Sequence, residues 1–599
     1  MNTIEKIPNQ EYNIRKKFNF IPKAISSIVF GMLLVLSIVF ITRQFSSGNK
    51  DKSSFTTLNK TPSEKLLSTE GIEIKFSIAI KQRNIHLLSN ILLDISNPKS
   101  TNYGNYYSIK KIQELTAPKL EDINRVLFWL KDNNIKNIKN NLDSIICISD
   151  ISYIEKLFEI KYTQYNNSLV PDKDYKIPND LSEIIEFVEG VTIIKVKNNL
   201  KKYNNHIDVD SGLASREVIQ RLYNVIEDTD VNNQSICSVE YQGRSNFNQS
   251  NLLESQRLNN ITEKPIIDII NQENKLKSDM ESNLDVQMIS QTAENVNILY
   301  WNSENWLFTF ATELFNIQIP PDVVSISWGG SEKDQCSTET CTKTNSSKYI
   351  NRINIEYIKI NLRGVSIVVS SGDSGASNTL YCNDDSPLNP SFPGSSPWVT
   401  SVGATFLKKS IVKYKYETPM CKKYDCAMGI QEVAANFNYI GWTTGGGFSN
   451  FNRFKWQDKV VNKYLKSGVQ LPSKFNIKGR AFPDVSTIGH SCPVYNNGVT
   501  KIDGTSCSAP LFAAFISILN QHQIKRNKPK LGFFNPILYL MAEDNPMIFN
   551  DVIIGNNSCT ETMCCSFDYG YQATTGYDPV TGLGTPNVKK MIIWLDNNT

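Results

Sequence analysis

The sequence predicts an α/β protein: a mostly parallel sheet flanked by helices over residues 214–599, preceded by a smaller α+β unit over residues 71–196. Three observations predict it. Short apolar runs (SICSVEYQ, VNILYW, DVVSISWGG, GVSIVVSSGD) have the composition of strands buried on both faces, and helical stretches separate them. The last two of these runs end in glycine-bearing loops, the strand ends where α/β proteins gather their sites. Before residue 197 the pattern differs: IEIKFSIAI alternates as a strand, HLLSNILLDIS has helical spacing, SIICIS is a short buried strand and SYIEKLFEIKY returns to helix. TAPKLEDINRVLFWLKDNN is expected to be a helix capped by Thr116 with Pro118 near its start.

The remaining segments follow in chain order. Residues 1–23 carry Lys6, Arg15, Lys16, Lys17 and Lys23 against Glu5 and Glu11, a basic N-terminus expected in the cytosol. Residues 24–42 run nineteen positions without a charge. At about 1.5 Å per residue they are long enough for a transmembrane signal-anchor, with a cleaved signal peptide as the alternative. Residues 43–70 are a polar tether, and 197–213 a polar linker of the kind proteases cut. Everything after the apolar segment is then expected in the secretory pathway, secreted or held by a single membrane pass.

Composition narrows the function. A formal charge of +4 excludes a chain built to coat nucleic acid, and 40% hydrophobic residues exclude wholesale disorder. Twelve cysteines include three close sets, Cys336/Cys341, Cys421/Cys426 and Cys559/Cys564/Cys565, which in an oxidising compartment read as disulfide partners of undetermined connectivity. Seven sequons (Asn166, Asn233, Asn248, Asn260, Asn345, Asn556, Asn597) permit glycosylation. Only four histidines occur: His86, His206, His490 and His522.

That scarcity shapes the chemistry. Ser506, in Gly504-Thr505-Ser506, enters an apolar helix where unpaired N–H groups and the helix dipole favour developing negative charge, although a serine there is also a common cap. A nucleophilic serine needs a base, and no histidine has a suitable setting. Carboxylates are the remaining candidates. Glu281 and Asp285, four apart, share one helical face with Leu284 and Met288. Asp373 follows the strand GVSIVVS, within Ser371-Gly372-Asp373-Ser374-Gly375.

Together with EYQGRSNF, ESNLDVQ, SGDSG, NPSFPGSSPWVTSVGAT, GGGFSN, GRAFPDVS, GTSCSAP and DPVTGLGTPN, in that order, these pieces resemble the sedolisin family of serine-carboxyl peptidases, the tripeptidyl-peptidase branch most closely. The resemblance implies a subtilisin-like catalytic domain and makes residues 71–196 an activation prodomain that inhibits its own enzyme until the linker is cut. It implies Ser506 as nucleophile, Glu281 as general base and acid, Asp285 as its orienting partner and Asp373 as the oxyanion group. It implies peptide or protein substrates, acid activity in a lumenal, lysosome-like compartment and release of tripeptides, with endopeptidase cleavage or a silent binding relative as alternatives. One calcium ion is implied, held by the carboxylates of Asp551 and Asp578 and the carbonyls of Val552, Thr574 and Gly576. Thr574 stands where the family commonly has glycine. Ser327-Trp328-Gly329 and Gly445-Gly446-Gly447 look like cleft-lining segments, Asp484 like a structural acid and Cys507 like a buried free thiol.

Overall fold

The computed structural model describes residues 71–599 apart from 166–167, 192–208, 211, 226–229, 242–245, 272–277, 337–343 and 383–386. The expected transmembrane segment needs correction. Among the described residues no helix is long and apolar enough to cross a membrane, and residues 24–42, on which that expectation rests, lie outside them.

The first unit is an antiparallel sheet with helices. Its elements are β1 (Glu73–Ile80), α1 (Ile85–Ile95), α2 (Ile109–Thr116), α3 (Leu120–Asp132), β2 (Asn137–Asn140), β3 (Ser144–Asp150), α4 (Ile151–Phe158) and β4 (Ile185–Glu189). The strands are ordered β2-β3-β1-β4. Alternation along β1 serves two cores. Ile74, Phe76, Ile78 and Ile80 pack with Ile123, Val126 and Leu130 of α3, while Ala79 joins a cluster shared with the second unit. Thr116 does not cap α3. It ends α2, its hydroxyl donating to Ile112 O at 3.0 Å, and α2 itself is capped by Ser108. Pro118 lies between the two helices, because the residue before a proline avoids the helical region and a fresh start at Leu120 costs less than continuing.

The second unit is built on α5 (Arg216–Tyr223), β5 (Ser235–Tyr241), β6 (Asp268–Ile270), α6 (Met280–Thr292), β7 (Asn297–Ser303), α7 (Leu307–Phe315), β8 (Val323–Ile326), α8 (Ser346–Leu362), β9 (Ser366–Ser370), β10 (Thr400–Lys408), β11 (Gln431–Ala434), β12 (Val485–Ile488), β13 (Cys492–Tyr495), β14 (Val499–Ile502) and α9 (Thr505–Lys525). Its main sheet runs β11-β10-β9-β8-β5-β7-β6, with β12 beside β10; every pairing is parallel except β10–β11. Parallel strands need both faces covered. α9 packs against β8, β9 and β10 and along α6, while apolar residues of α7 and α8 join those of β5, β8 and β9 in the other cluster.

The first unit docks on α7 and α8. Glu189 accepts hydrogen bonds from Thr309 N at 2.8 Å, Phe308 N at 3.2 Å and the Tyr349 hydroxyl at 2.7 Å. Lys359, fully buried, meets Asp143 at 2.7 Å and Glu356 at 2.6 Å; Arg352 meets Glu186 and Glu356. Burial alone would raise the Asp143 carboxyl, but Lys359 and Arg352 outweigh it and hold the group below its ordinary value. That contact is therefore complete above the ordinary carboxylate range and is lost as pH falls through the depressed value. Substituting Lys359→Met takes the ion-pair partner from the buried Asp143 carboxylate, while Glu356 keeps Arg352, and should cost about 3–5 kcal/mol. A urea titration of the full chain should show an earlier midpoint; an unchanged one would refute this account.

Candidate active site

The carboxyl ends of β5, β8 and β9 bring Glu240, Ser327 and the loop bearing Asp373 to one side of the sheet, and α6 and α9 complete the site. Ser506 is the second residue of α9 and is nearly buried, 8% exposed. It does not act as a cap. Gly504 occupies that position with φ 143°, and no side chain caps the helix. Pro510 lies in the second turn and lacks the N–H that would have bonded the Ser506 carbonyl. The Ser327 hydroxyl lies 3.5 Å from that carbonyl oxygen instead.

Asp373 is fixed from the same helix start. Its Oδ1 accepts from Thr505 N at 2.8 Å and from the Thr505 hydroxyl at 2.7 Å, and Gly372 N donates to that hydroxyl at 3.2 Å. Oδ2 faces Gly504, where an added Cβ would sit 3.1 Å from it. Burial pushes the Asp373 carboxyl up, against the two Thr505 bonds that lower it, and the Asp503 charge raises it further.

Helix α6 starts at Asp279, whose carboxylate accepts from Ser282 N at 2.8 Å. Twelve of its residues are buried, polar ones included, so Glu281 and Asp285 are 5% and 0% exposed. Asp285 Oδ1 accepts from the Ser327 hydroxyl at 2.9 Å. Glu281 Oε1 and Asp285 Oδ2 are buried without a hydrogen-bond partner. Burial raises Glu281 to about 8, the Ser506 hydroxyl pulling the other way and the Asp373 and Asp279 charges adding to the rise. Asp285 is raised well above its ordinary value by burial and then by Glu281.

Two participants were not singled out from the sequence. Glu240, fully buried on β5, accepts from the Trp328 indole at 2.8 Å and is raised by burial and by Asp285, Asp279 and Glu281. A glutamate inside the apolar run SICSVEYQ was the available signal. Trp328 was noted only as part of a cleft-lining segment. Histidine stays out of this cluster. His522 pairs with Asp596 at 2.7 Å, His490 with Asp503 at 2.8 Å, His86 lies on α1 and His206 falls outside the described residues.

Around the site, the Ser371 hydroxyl donates to Gly445 O and Gly445 N to Gly372 O, so the glycine segment is laced to the Asp373 loop. A side chain at Gly445 would meet Ser371 O at 2.3 Å. Asp484 is structural: it pairs with Arg480 and accepts from Ser401 N and the Tyr539 hydroxyl, each at 2.8 Å. Disulfides join Cys421–Cys426 and Cys559–Cys564, while Cys565 leaves its set to reach Cys382, 183 residues away. Cys341 lies outside the described residues. Cys507 is free and buried, its thiol pushed well above the ordinary range by burial.

The predicted metal ligands share one pair of loops. Asp551 Oδ2 accepts from Gly576 N at 2.8 Å, Asp578 Oδ2 from Thr574 N at 2.9 Å, and the Thr581 hydroxyl bridges Asp578 to Val552 O. Among the described residues no three His, Cys, Asp or Glu side chains converge on a metal position, so any site here depends on carbonyls as well. The donor set is all oxygen and includes a buried carboxyl raised to about 7 by burial, which fits a hard cation.

Comparison with known proteins agrees with this architecture. The family profile described as Pro-kumamolisin, activation domain, matches residues 65–193, and that of the Subtilase family matches residues 274–530. The fold and site thus define a subtilisin-like serine peptidase carrying its own activation domain. Physarolisin of Physarum polycephalum is 36% identical over 548 residues, 88% of this chain and 94% of that protein. Tripeptidyl-peptidase 1 of Homo sapiens is 28% identical over 563 residues, 88% of this chain and 92% of that protein. The solved structure of Pseudomonas sedolisin, complexed with two molecules of pseudo-iodotyrostatin, covers 66% of this chain and 100% of its own at 20% identity and a TM-score of 0.49. The chain belongs to the sedolisin family of serine-carboxyl peptidases.

Proposed function

We propose that this zymogen hydrolyses peptide bonds through Ser506, Glu281, Asp285 and Asp373, releasing tripeptides from free N-termini. The observation that carries the reading is the convergence of one near-buried serine with two buried carboxyls, Glu281 and Asp285, and a half-buried third, Asp373, whose ionisation desolvation resists. Ser506 Oγ attacks the scissile carbonyl while Glu281 takes its proton. The protonated Asp373 donates from Oδ2 to the oxyanion, Oδ1 being engaged by Thr505. Glu281 then protonates the leaving amine, and water releases the acyl group by the same steps in reverse. Asp285 orients Glu281, its own position set by Ser327.

Glu281 must be ionised and Asp373 protonated at the same moment. Burial raises both, so the productive form peaks between two macroscopic pKa values of the coupled groups, and rising pH removes it by taking the Asp373 proton. The family resemblance implies an acidic lumen as the working compartment, and the disulfides Cys382–Cys565, Cys421–Cys426 and Cys559–Cys564 fit an oxidising one. The activation unit is the intramolecular inhibitor. Cleavage falls within residues 197–208, because Asp210 N bonds Leu407 O and Leu213 N bonds Asp425 O in the docked end of the linker. Asp551 and Asp578, with the carbonyls of Val552, Thr574 and Gly576, would hold one calcium ion, whose positive charge would favour the ionised form of the buried Asp578 and tie the two C-terminal loops together.

Acidified full chain should cleave free-N-terminal tripeptide reporters faster than N-blocked longer peptides, and Ser506→Ala should abolish both; the opposite preference would make the enzyme an endopeptidase. Asp373→Asn keeps an N–H donor at every pH, so its kcat profile should lose the alkaline limb and keep the acid one; a retained alkaline limb would assign that limb to another group. Chelation of calcium should lower the melting temperature by about 2–5 °C, and Asp578→Asn should abolish the difference. Equal melting with and without chelator would remove the ion from this account.

A further inference from the structure

The turn entering α9 is held by a pair outside the carboxyl relay. The β13–β14 ladder ends with Cys492 opposite Ile502, and beyond it the strands are joined by a side chain. Asp503 Oδ1 accepts from Ser491 N at 2.8 Å and Oδ2 meets His490 Nδ1 at 2.8 Å, with side-chain exposures of 7% for Asp503 and 14% for His490. One backbone bond, Gly504 N to Gly489 O at 2.9 Å, closes the same corner. Ser491 holds φ 56° there, an unfavourable conformation for a serine, and its carbonyl accepts from Ala214 N. His490 and Phe406 meet in a T-shaped arrangement, their ring planes 80° apart. Immediately after this corner come Gly504, Thr505, which holds Asp373, and Ser506.

We propose that His490 and Asp503 are a positioning pair: the imidazole holds the Asp503 carboxylate, which ties residues 490–491 to the turn that aims Thr505 and Ser506. This rests on the reading of Ser506 as nucleophile and Asp373 as oxyanion group. Neither member touches substrate. The pair acts in two ways. It fixes the entry angle of α9, where a displacement of about 1 Å costs on the order of a hundredfold in rate. It also sets a negative charge near Asp373, favouring the protonated form that donates to the oxyanion. Among the described residues, the charged groups acting on Asp373 are Asp503 from this turn and Glu281 from α6. The Asp503 charge is also felt by the thiols of Cys492 and Cys507, and His490 is its partner.

The test uses acid-activated full chain with kcat, KM and pH profiles for wild type, Ser506→Ala, His490→Ala, His490→Asn and Asp503→Asn. His490→Ala should lower kcat about tenfold or more with KM within about twofold. His490→Asn, whose amide N–H reaches the position of Nδ1, should recover most of it. Asp503→Asn should move the alkaline limb of kcat to lower pH, because Asp373 loses the charge that keeps it protonated. Wild-type kcat in His490→Ala, equal loss in His490→Asn, or an unmoved limb in Asp503→Asn each overturns the pair. Where alanine at 490 prevents folding, the isosteric Asp503→Asn carries the decision through its pH limb. Activity retained by Ser506→Ala sinks the nucleophile reading; with that variant silent, failure of the His490 and Asp503 arms sinks the pair alone.

Discussion

The packing of α6 along α9 is the contact on which the site depends. It buries Glu281 and Asp285 beside Ser506, and the cost of charging a carboxyl there gives these groups their unusual proton affinity. The remaining parts of the structure serve that packing. α9 lies against β8, β9 and β10, so the strand ends fix where Ser327 and the Asp373 loop arrive. The missing N–H of Pro510 leaves the Ser506 carbonyl toward Ser327, whose hydroxyl also reaches Asp285. A change anywhere along this chain of contacts moves both ends of the relay.

The same chemistry is used with opposite sign at the activation unit. Around Ser506, acids cluster without a cation among the described residues and burial raises their proton affinity; at α8, Lys359 and Arg352 stabilise the charge on buried acids. A fall in pH therefore protonates the docking carboxylate Asp143 at the expense of its ion pair while favouring the protonated form of Asp373. One solvent variable thus acts on docking and on the site together.

Much of the site was legible because its motifs are local. G-T-S before an apolar helix, S-G-D-S-G after a strand and an i, i+4 acid pair each declare themselves within a few residues. Burial was not legible. α6 has an almost uniform mixture of polar and apolar side chains, yet nearly all are enclosed, because the neighbouring helices surround it. Glu240 and Trp328, 88 residues apart in sequence, meet only because β5 and β8 are adjacent strands. Thr116 misled for a related reason: a threonine before a proline reads as a cap, but here it closes the preceding helix.

Sequence by itself determined the two-unit order, the parallel-sheet class, the serine at a helix start and the scarcity of histidine. These follow from periodicity, composition and short motifs, all of which operate over neighbouring residues. Tertiary structure alone decided which acids are buried, that Cys565 joins Cys382, and that His490 sits on Asp503 at the entrance to α9. Proton affinity and side-chain position depend on desolvation and on neighbours brought together across the chain, and neither is a property of a residue and its flanks.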